Sequence, residues 1–148
     1  MYLVVNELES SLTVDVVFDG TNSEVHAIRP YLYVHNSPAG SLKVSLMDSA
    51  GTTTIASKEM TIAALIAGLN SFSNYYHGYV LFELDNTAFI ADGNYKIKLE
   101  GTNGYSFDEA DYIGWISEHE DRKNDMNFTP AGDDENSFSY EVWSYKEV

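Results

Sequence analysis

Acidic side chains offer the first candidate chemistry in this sequence, because clustered carboxylate oxygens are the ligands that calcium prefers. Asp108, Glu109 and Asp111 lie close together, and a second acidic run occupies residues 118–121. Neither cluster has the spacing of an EF-hand loop, which alternates its ligands and ends on a glutamate. We interpret the acids as a solvated loop, with a calcium ion held by Asp108, Glu109 and Asp111 as the alternative. No other cofactor is predicted.

No catalytic arrangement can be recognised in the sequence. The chain has no His-x-x-x-His pair, no cysteine and no Gly-x-Ser-x-Gly segment, so metal-dependent, thiolate and serine hydrolysis lack their residues. Paired carboxylates about 5 to 9 Å apart could cleave a glycan. Glu83, Glu100, Glu118 and Glu120 could approach each other, but nothing in the sequence selects a pair, and mutation of Glu118 and Glu120 would test the enzyme hypothesis. We nevertheless expect a protein without enzymatic activity.

Aromatic side chains are the unusual feature of the chain, of which they make up 14%. Some lie in a predicted loop that leads into a strand, and others lie on predicted strand faces opposite the core. Exposed tyrosine and tryptophan side chains can anchor a protein interface or stack on sugar rings. The candidates for such a surface are Tyr75, Tyr76, Tyr79, Trp115, Trp143 and Tyr145. We favour protein contacts over sugars, and the remaining alternative is that these rings belong to the core.

Alternating hydrophobicity places these residues on short strands. Between residues 30 and 35, for example, Tyr31, Tyr33 and His35 form one face, and Leu32 and Val34 form the other. The predicted strands cover residues 11–18, 30–35, 42–47, 52–61, 79–84, 95–99, 112–117 and 138–145. A turn at residues 48–51 joins the segments 42–47 and 52–61, which predicts a hairpin.

One segment has a different character from the strands. Residues 62–69 are rich in alanine and leucine, Thr61 could cap them, and Gly68 could end them, so we predict a short helix that crosses between sheets. Three polar segments are predicted to be loops: residues 70–77, 85–94 and 118–136.

Seven or eight short strands with turn signals about 8 to 12 residues apart are typical of a β-sandwich or jelly roll. The alternation of hydrophobic and polar residues implies that one face of each strand is exposed to solvent, which is typical of antiparallel sheets. We therefore predict an all-β fold, an antiparallel β-sandwich of jelly-roll type with one short helix. No repeat or linker divides the chain, so residues 1–148 are predicted to form a single domain.

The charge of the chain excludes several kinds of partner. Eight basic and 23 acidic side chains give a formal net charge of −15, so nucleic acid, which requires clustered lysine and arginine, is not an expected partner. Anionic membrane surfaces would repel the chain as well. The first residues carry no basic region and no long apolar run, which predicts a product made in the cytoplasm without a secretory signal.

Two segments carry a resemblance to a known group of proteins. Residues 80–102 resemble the strand–linker–strand of jelly-roll β-sandwich modules, whose second strand has the pattern Gly-x-Tyr-x-Ile-x-Leu, here beginning at Gly93. The hairpin at residues 42–61 is similar to the same modules. They occur in carbohydrate-binding modules and in accessory virion proteins of tailed phages, such as capsid decoration, tail and fibre proteins.

This resemblance implies a non-enzymatic structural protein of a phage virion, in a capsid decoration, neck, tail or fibre. Such a protein would be made in the host cytoplasm, occur in many copies and contact other virion proteins. The alternative that the resemblance implies is a carbohydrate-binding module, or a receptor-binding piece of the particle that recognises glycans.

Overall fold

The computed structural model describes residues 2–18, 23–91, 93–119, 128–129, 136–138 and 140–146. These residues form strands and one helix in this order: β1 (Tyr2–Glu7), β2 (Ser11–Phe18), β3 (Ser23–His35), β4 (Ser41–Met47), β5 (Thr54–Thr61), α1 (Ile62–Ala67), β6 (Asn70–Phe72), β7 (Tyr75–Tyr79), β8 (Phe82–Ile90), β9 (Gly93–Thr102), β10 (Tyr112–His119), β11 (Phe128–Thr129), β12 (Asn136–Phe138) and β13 (Tyr140–Lys146).

Two antiparallel sheets contain all of these strands. The first sheet has the order β1-β10-β3-β7-β6, with β8 and β13 also paired to β3 and β12 paired to β10. The second sheet has the order β11-β2-β9-β4-β5. Among the described strands, only β4–β5 and β6–β7 are neighbours both in the sheet and in the chain, so long-range pairing builds most of the fold. The predicted antiparallel β-sandwich with one short helix is confirmed.

Strand β3 organises the first sheet, because it changes partners halfway along its length. Its first half pairs with β8 and β13, and its second half pairs with β7 and β10. Pro30 lies at the change and has no N–H to donate to a ladder, so a break in pairing costs little there. The carbonyl of Pro30 still accepts a hydrogen bond from the Val80 N–H at 3.0 Å.

The core lies between the two sheets and consists of inward-facing aliphatic and aromatic side chains in one cluster. The predicted alternation of β2 is confirmed, since Val14 and Phe18 are buried and Leu12 and Val16 pack against the cluster. The opposite face of the same strand is exposed to solvent, and Val17 on this face is itself exposed. On β3 the inward residues are Leu32 and Val34, as the alternation predicts.

Helix α1 connects the second sheet to the first and follows the predicted pattern. The Thr61 side chain accepts a hydrogen bond from the Ala64 N–H at 3.2 Å, and Gly68 caps the other end. Ile62 and Leu65 are the buried residues of the helix. A helix of six residues is too short to be stable alone, so its cap and these buried side chains hold it.

Replacing Thr61 by alanine should lower the free energy of unfolding by about 1 kcal/mol, because the Ala64 N–H loses its side-chain acceptor. Urea unfolding followed by circular dichroism measures the change. Thr61→Ser is the matched control, since it keeps the hydroxyl oxygen and should retain most of the stability. Equal losses in the two variants would show that the cap contributes nothing.

Two predicted loops are strands in the structure. Residues 70–77 contain the β6–β7 hairpin, whose turn has Ser73 in the left-handed region at φ 57°. Residues 85–94 contain the end of β8 and the start of β9. Both segments have the polar composition of turns. Their backbones are nevertheless extended because β6 pairs with β7, β8 with β3, and β9 with β2. Of the third predicted loop, residues 118–119 continue β10 and 128–129 form β11; residues 120–127 and 130–135 lie outside the described residues.

Candidate interaction surface

The outer face of the second sheet carries charged side chains that form ion pairs with one another. Lys96 contacts Asp15 at 2.5 Å, and Lys98 contacts Glu100 at 3.6 Å. The strand register also places Lys43 opposite Glu100 on β9. Pairs of this kind at a surface contribute only about 0 to 1 kcal/mol each, but they leave a hydrated face with little unbalanced charge. Among the described residues of this face, Val17 is the one exposed large hydrophobic side chain.

The outer face of the first sheet is aromatic. We call its seven ring-bearing side chains on three neighbouring strands the aromatic strip. Its members are Tyr31, Tyr33 and His35 on β3, Tyr75, His77 and Tyr79 on β7, and Tyr112 on β10. Residues that lie directly opposite on paired strands share a face, and the register sets every member of β7 opposite a member of β3. The strip is therefore a direct consequence of strand pairing.

One row of rings crosses four strands of this sheet. Phe72 on β6 lies opposite Tyr75, Tyr75 lies opposite His35, and His35 lies opposite Tyr112. The rings of His35 and Tyr75 stack with centroids 5.0 Å apart, and those of His35 and Tyr112 meet edge-on at 5.4 Å. With strands about 4.8 Å apart, the row extends for about 14 Å over the sheet.

Contacts within and between rows hold the rings of the strip in place. Tyr33 lies 5.6 Å from Tyr75, and Tyr31 meets Tyr79 edge-on at 4.8 Å. The Tyr31 hydroxyl is 2.9 Å from Nδ1 of His77, within hydrogen-bonding distance. Side chains that are already ordered lose little conformational entropy when a ligand binds. The strip is consequently pre-organised for contact.

The exposed large hydrophobic side chains of the described chain concentrate at this surface. They are Val17, Phe72, Tyr75 and Tyr79, with exposed fractions of 52%, 73%, 37% and 38%. Three of the four belong to the β6–β7 hairpin at the edge of the strip. Exposed aromatic residues that cluster on a polar protein mark an interaction site more strongly than single ones do.

The two ends of the strip differ in charge. At one end the Arg29 guanidinium lies 4.7 Å from the centroid of the Tyr79 ring and contacts Glu141 at 3.1 Å. At the other end Phe107 packs on Tyr112 with centroids 5.6 Å apart. The carboxylate of Glu7 is close enough to Tyr112 for its negative charge to raise the pKa of that phenol, after the larger effect of burial.

Burial and neighbouring side chains raise the pKa of two tyrosines strongly. Desolvation, followed by Tyr112 and Tyr75, raises the pKa of Tyr33 to about 12, and a hydrogen bond to Tyr112 adds to the shift. Burial and the charge of Asp15 raise the pKa of Tyr140 to about 12. Both phenols are therefore neutral donors throughout the physiological range.

We expect stability to fall as the pH rises from about 10 to about 12. In the folded chain Tyr33 and Tyr140 have a pKa above the ordinary value of 10.0, so the folded state binds more protons in this window than the unfolded state. The stability that these groups contribute is complete below pH 10 and is lost above it. Urea unfolding at several pH values should show a shallower fall in the Tyr33→Phe/Tyr140→Phe double variant. An identical fall in both proteins would contradict the assignment.

Two of the predicted contact residues belong to the strip and two do not. Tyr75 and Tyr79 are members and are exposed, and their role in binding stays a prediction. Tyr76 lies opposite the inward-facing Val34 and packs against the core, because its segment is a strand in which successive side chains alternate. The expectation that Trp115 is exposed is wrong: its exposed fraction is 0%, since its partner in the register is the inward-facing Leu32.

The other two predicted contact residues, Trp143 and Tyr145, have their backbone in β13, opposite Ala27 and Glu24. Their side chains lie outside the described residues, and so does the side chain of Glu118.

The acidic cluster closes a turn. The backbones of Asp108 and Asp111 exchange two hydrogen bonds, of 3.1 and 3.0 Å. Oδ1 of Asp108 accepts the Ala110 N–H at 2.8 Å, and Oδ1 of Asp111 accepts the Ser37 N–H at 3.4 Å. No three histidine, aspartate or glutamate side chains come together for a metal ion in the part of the chain that is described. Calcium binding by Asp108, Glu109 and Asp111 stays the alternative to a solvated loop.

Sequence reasoning missed Phe72 and Tyr112 as surface residues, and it identified Tyr31, Tyr33 and His35 only as one face of a strand. The available signal was the alternation of rings along β3. What it lacked was the register, which places β7 and β10 on the two sides of that strand.

Fold and surface together define a β-sandwich with one hydrated outer face and one aromatic outer face. No protein-family model, curated protein or solved structure matches the chain. Within the described ranges, no helix is long and apolar enough to span a bilayer.

Proposed function

We propose that this chain is a non-enzymatic structural protein of a phage particle, in a capsid decoration, neck, tail or fibre. It works by binding a neighbouring virion protein through the aromatic strip. The observation that carries the proposal is the contrast between the two outer faces, one hydrated and charged, the other covered with ordered tyrosine and histidine rings.

The strip has the properties of a protein-contact surface. Tyrosine is enriched in interfaces because it supplies large contact area with few rotatable bonds and a hydroxyl for hydrogen bonding. Tyr75, Tyr79 and Phe72 present exposed ring area, and neighbouring rings hold Tyr75 and Tyr79 in place. A partner would thus bury apolar surface without first having to order these two tyrosines.

The charge of the chain suits a protein that is present in many copies. A net charge of −15 makes copies repel one another in solution, and the paired charges on the second sheet keep that face hydrated. The phage assignment itself is supported by the resemblance of residues 42–61 and 80–102 to jelly-roll modules of virion proteins.

Particle composition tests this proposal. Purified particles of the phage that encodes the chain should contain it in stoichiometric copies by mass spectrometry. Incorporation of Tyr75→Ser/Tyr79→Ser should fall, whereas Lys43→Ser, on the outer face of the second sheet, should enter particles normally. Particles without the chain would refute the virion assignment, and normal incorporation of the strip variant would refute the role of the strip.

Glycan binding is the second candidate, and one feature of the strip favours it. Hydrogen-bonding groups lie beside stacked rings: the Tyr31 hydroxyl beside His77, and the Asn74 amide 3.3 Å from Nε2 of His35. Sugars need both an apolar ring face and polar edges. A glycan array, read with and without calcium, should then give hits that disappear in Tyr75→Ala. An array without hits would exclude this candidate.

A further inference from the structure

We infer that the partner segment bound by the aromatic strip is rich in arginine, with guanidinium groups stacked on the exposed ring of Tyr75 and on the adjoining ring of Phe72. This inference rests on the protein-contact function proposed above and specifies the chemistry of the partner.

The strip already holds one guanidinium of its own chain. Arg29 lies with Cζ 4.7 Å from the centroid of the Tyr79 ring, within the roughly 6 Å at which a cation is attracted to an aromatic face. Tyr75 is on the same strand and the same face as Tyr79, and it is exposed to nearly the same extent. Arg29 therefore shows, within this molecule, the type of contact that the outer part of the strip can make.

Charge complementarity favours a basic segment. Glu7 lies near Tyr112, and the turn closed by Asp108 and Asp111 directly precedes Tyr112. None of the carboxylates of Glu7, Asp108, Glu109 and Asp111 forms an ion pair with another described residue. The sequence has no lysine or arginine between residues 98 and 122 that could neutralise them. A basic segment that crosses the strip from Phe72 would reach these carboxylates, and their field would also accelerate its encounter.

Arginine fits this surface better than the alternatives. Its planar guanidinium stacks on a ring while its edge remains able to donate hydrogen bonds, and it is less strongly hydrated than the lysine ammonium. An acidic segment would be repelled by the charge of the chain. An aliphatic segment would cover the polar edges of the strip without offering them hydrogen bonds, which costs free energy.

Three matched peptides test the inference with the full-length protein. An eight-residue arginine-rich peptide, its lysine counterpart and its glutamine counterpart are each titrated at low salt, with fluorescence anisotropy as the readout. We expect the arginine peptide to bind most tightly and the glutamine peptide not to bind. Tyr75→Leu and Phe72→Leu should each weaken arginine-peptide binding about two- to fivefold, which corresponds to one cation–π contact at an exposed site.

Charge variants separate the strip from the overall acidity of the protein. Glu7→Gln should weaken binding of the arginine peptide and reduce its salt dependence. Glu100→Gln removes the same charge from the outer face of the second sheet and should leave binding unchanged. Circular dichroism confirms that each variant is folded before it is titrated.

The outcomes distinguish this inference from the function on which it rests. Equal affinity for arginine and lysine peptides, with no effect of Tyr75→Leu, would reduce the interaction to general charge attraction and overturn the inference. Absence of binding would overturn it too. If strip variants then still failed to enter particles, the proposed function would stand with a partner of different chemistry.

Discussion

Replacing Trp115 by alanine should lower the free energy of unfolding by about 3 to 5 kcal/mol, the usual cost of deleting a large buried aromatic side chain. Its side chain is completely buried in the core cluster, with its ring 6.1 Å from that of Tyr140. The neighbouring backbone of β10 is paired on both sides, so the structure can collapse only partly into the resulting cavity. Folded domains are typically stable by about 5 to 15 kcal/mol, and such a loss is a large part of that.

Phe72→Ala is the matched control for this prediction. It also removes a large aromatic side chain from the first sheet, but that side chain is 73% exposed and its loss should change stability by less than about 0.5 kcal/mol. Urea unfolding of both variants, followed by circular dichroism, makes the comparison. If Phe72→Ala proved the more costly change, the inward and outward faces of the first sheet would be assigned the wrong way round.

Replacing Gly101 by alanine should cost about 2 to 4 kcal/mol, the second-largest effect we expect. A Cβ atom at Gly101 would lie 2.1 Å from Cδ2 and 2.6 Å from Cγ of the Tyr105 ring. Because Cγ lies close to the backbone, the whole ring has to move. The Tyr105 hydroxyl would then lose two hydrogen bonds, one donated to the Leu8 carbonyl at 2.6 Å and one accepted from the Ile113 N–H at 3.1 Å.

A double-mutant cycle isolates the cause of this loss. In a Tyr105→Ala background, Gly101→Ala should cost less than about 0.5 kcal/mol, since no ring remains to be displaced. Tyr105→Phe alone should cost about 1 to 3 kcal/mol, because it keeps the ring and removes only the hydroxyl. The same cost for Gly101→Ala in both backgrounds would mean that the glycine is needed for another reason.

Local patterns were sufficient for much of the fold. The alternation in β2, the hairpin of β4 and β5, and helix α1 with its Thr61 cap could all be predicted, because each depends on residues only a few positions apart. Segments in which polar side chains dominate were predicted less well. The end of β8 and the β6–β7 hairpin resemble turns in composition, and only their pairing with β3 and with each other makes them strands.

The candidate site shows the same division. Tyr75 and Tyr79 were predicted as contact residues from the density of rings in their segment, and they belong to the strip. Tyr76 and Trp115 were grouped with them, although both face inward. The alternation within one strand defines two faces, but it does not show which face packs against the other sheet. That orientation determines whether a residue such as Tyr76 or Trp115 belongs to the surface or to the core.

The sequence by itself determined an all-β chain with alternating faces, one capped helix and a strong negative charge, because these follow from residue type and short-range periodicity. Tertiary structure alone decided that β3 lies between β7 and β10, and so brought rings from three distant segments into one ordered surface. The physical reason is that strand register is set by burying one face of each strand against the opposite sheet, a requirement that involves the whole core at once.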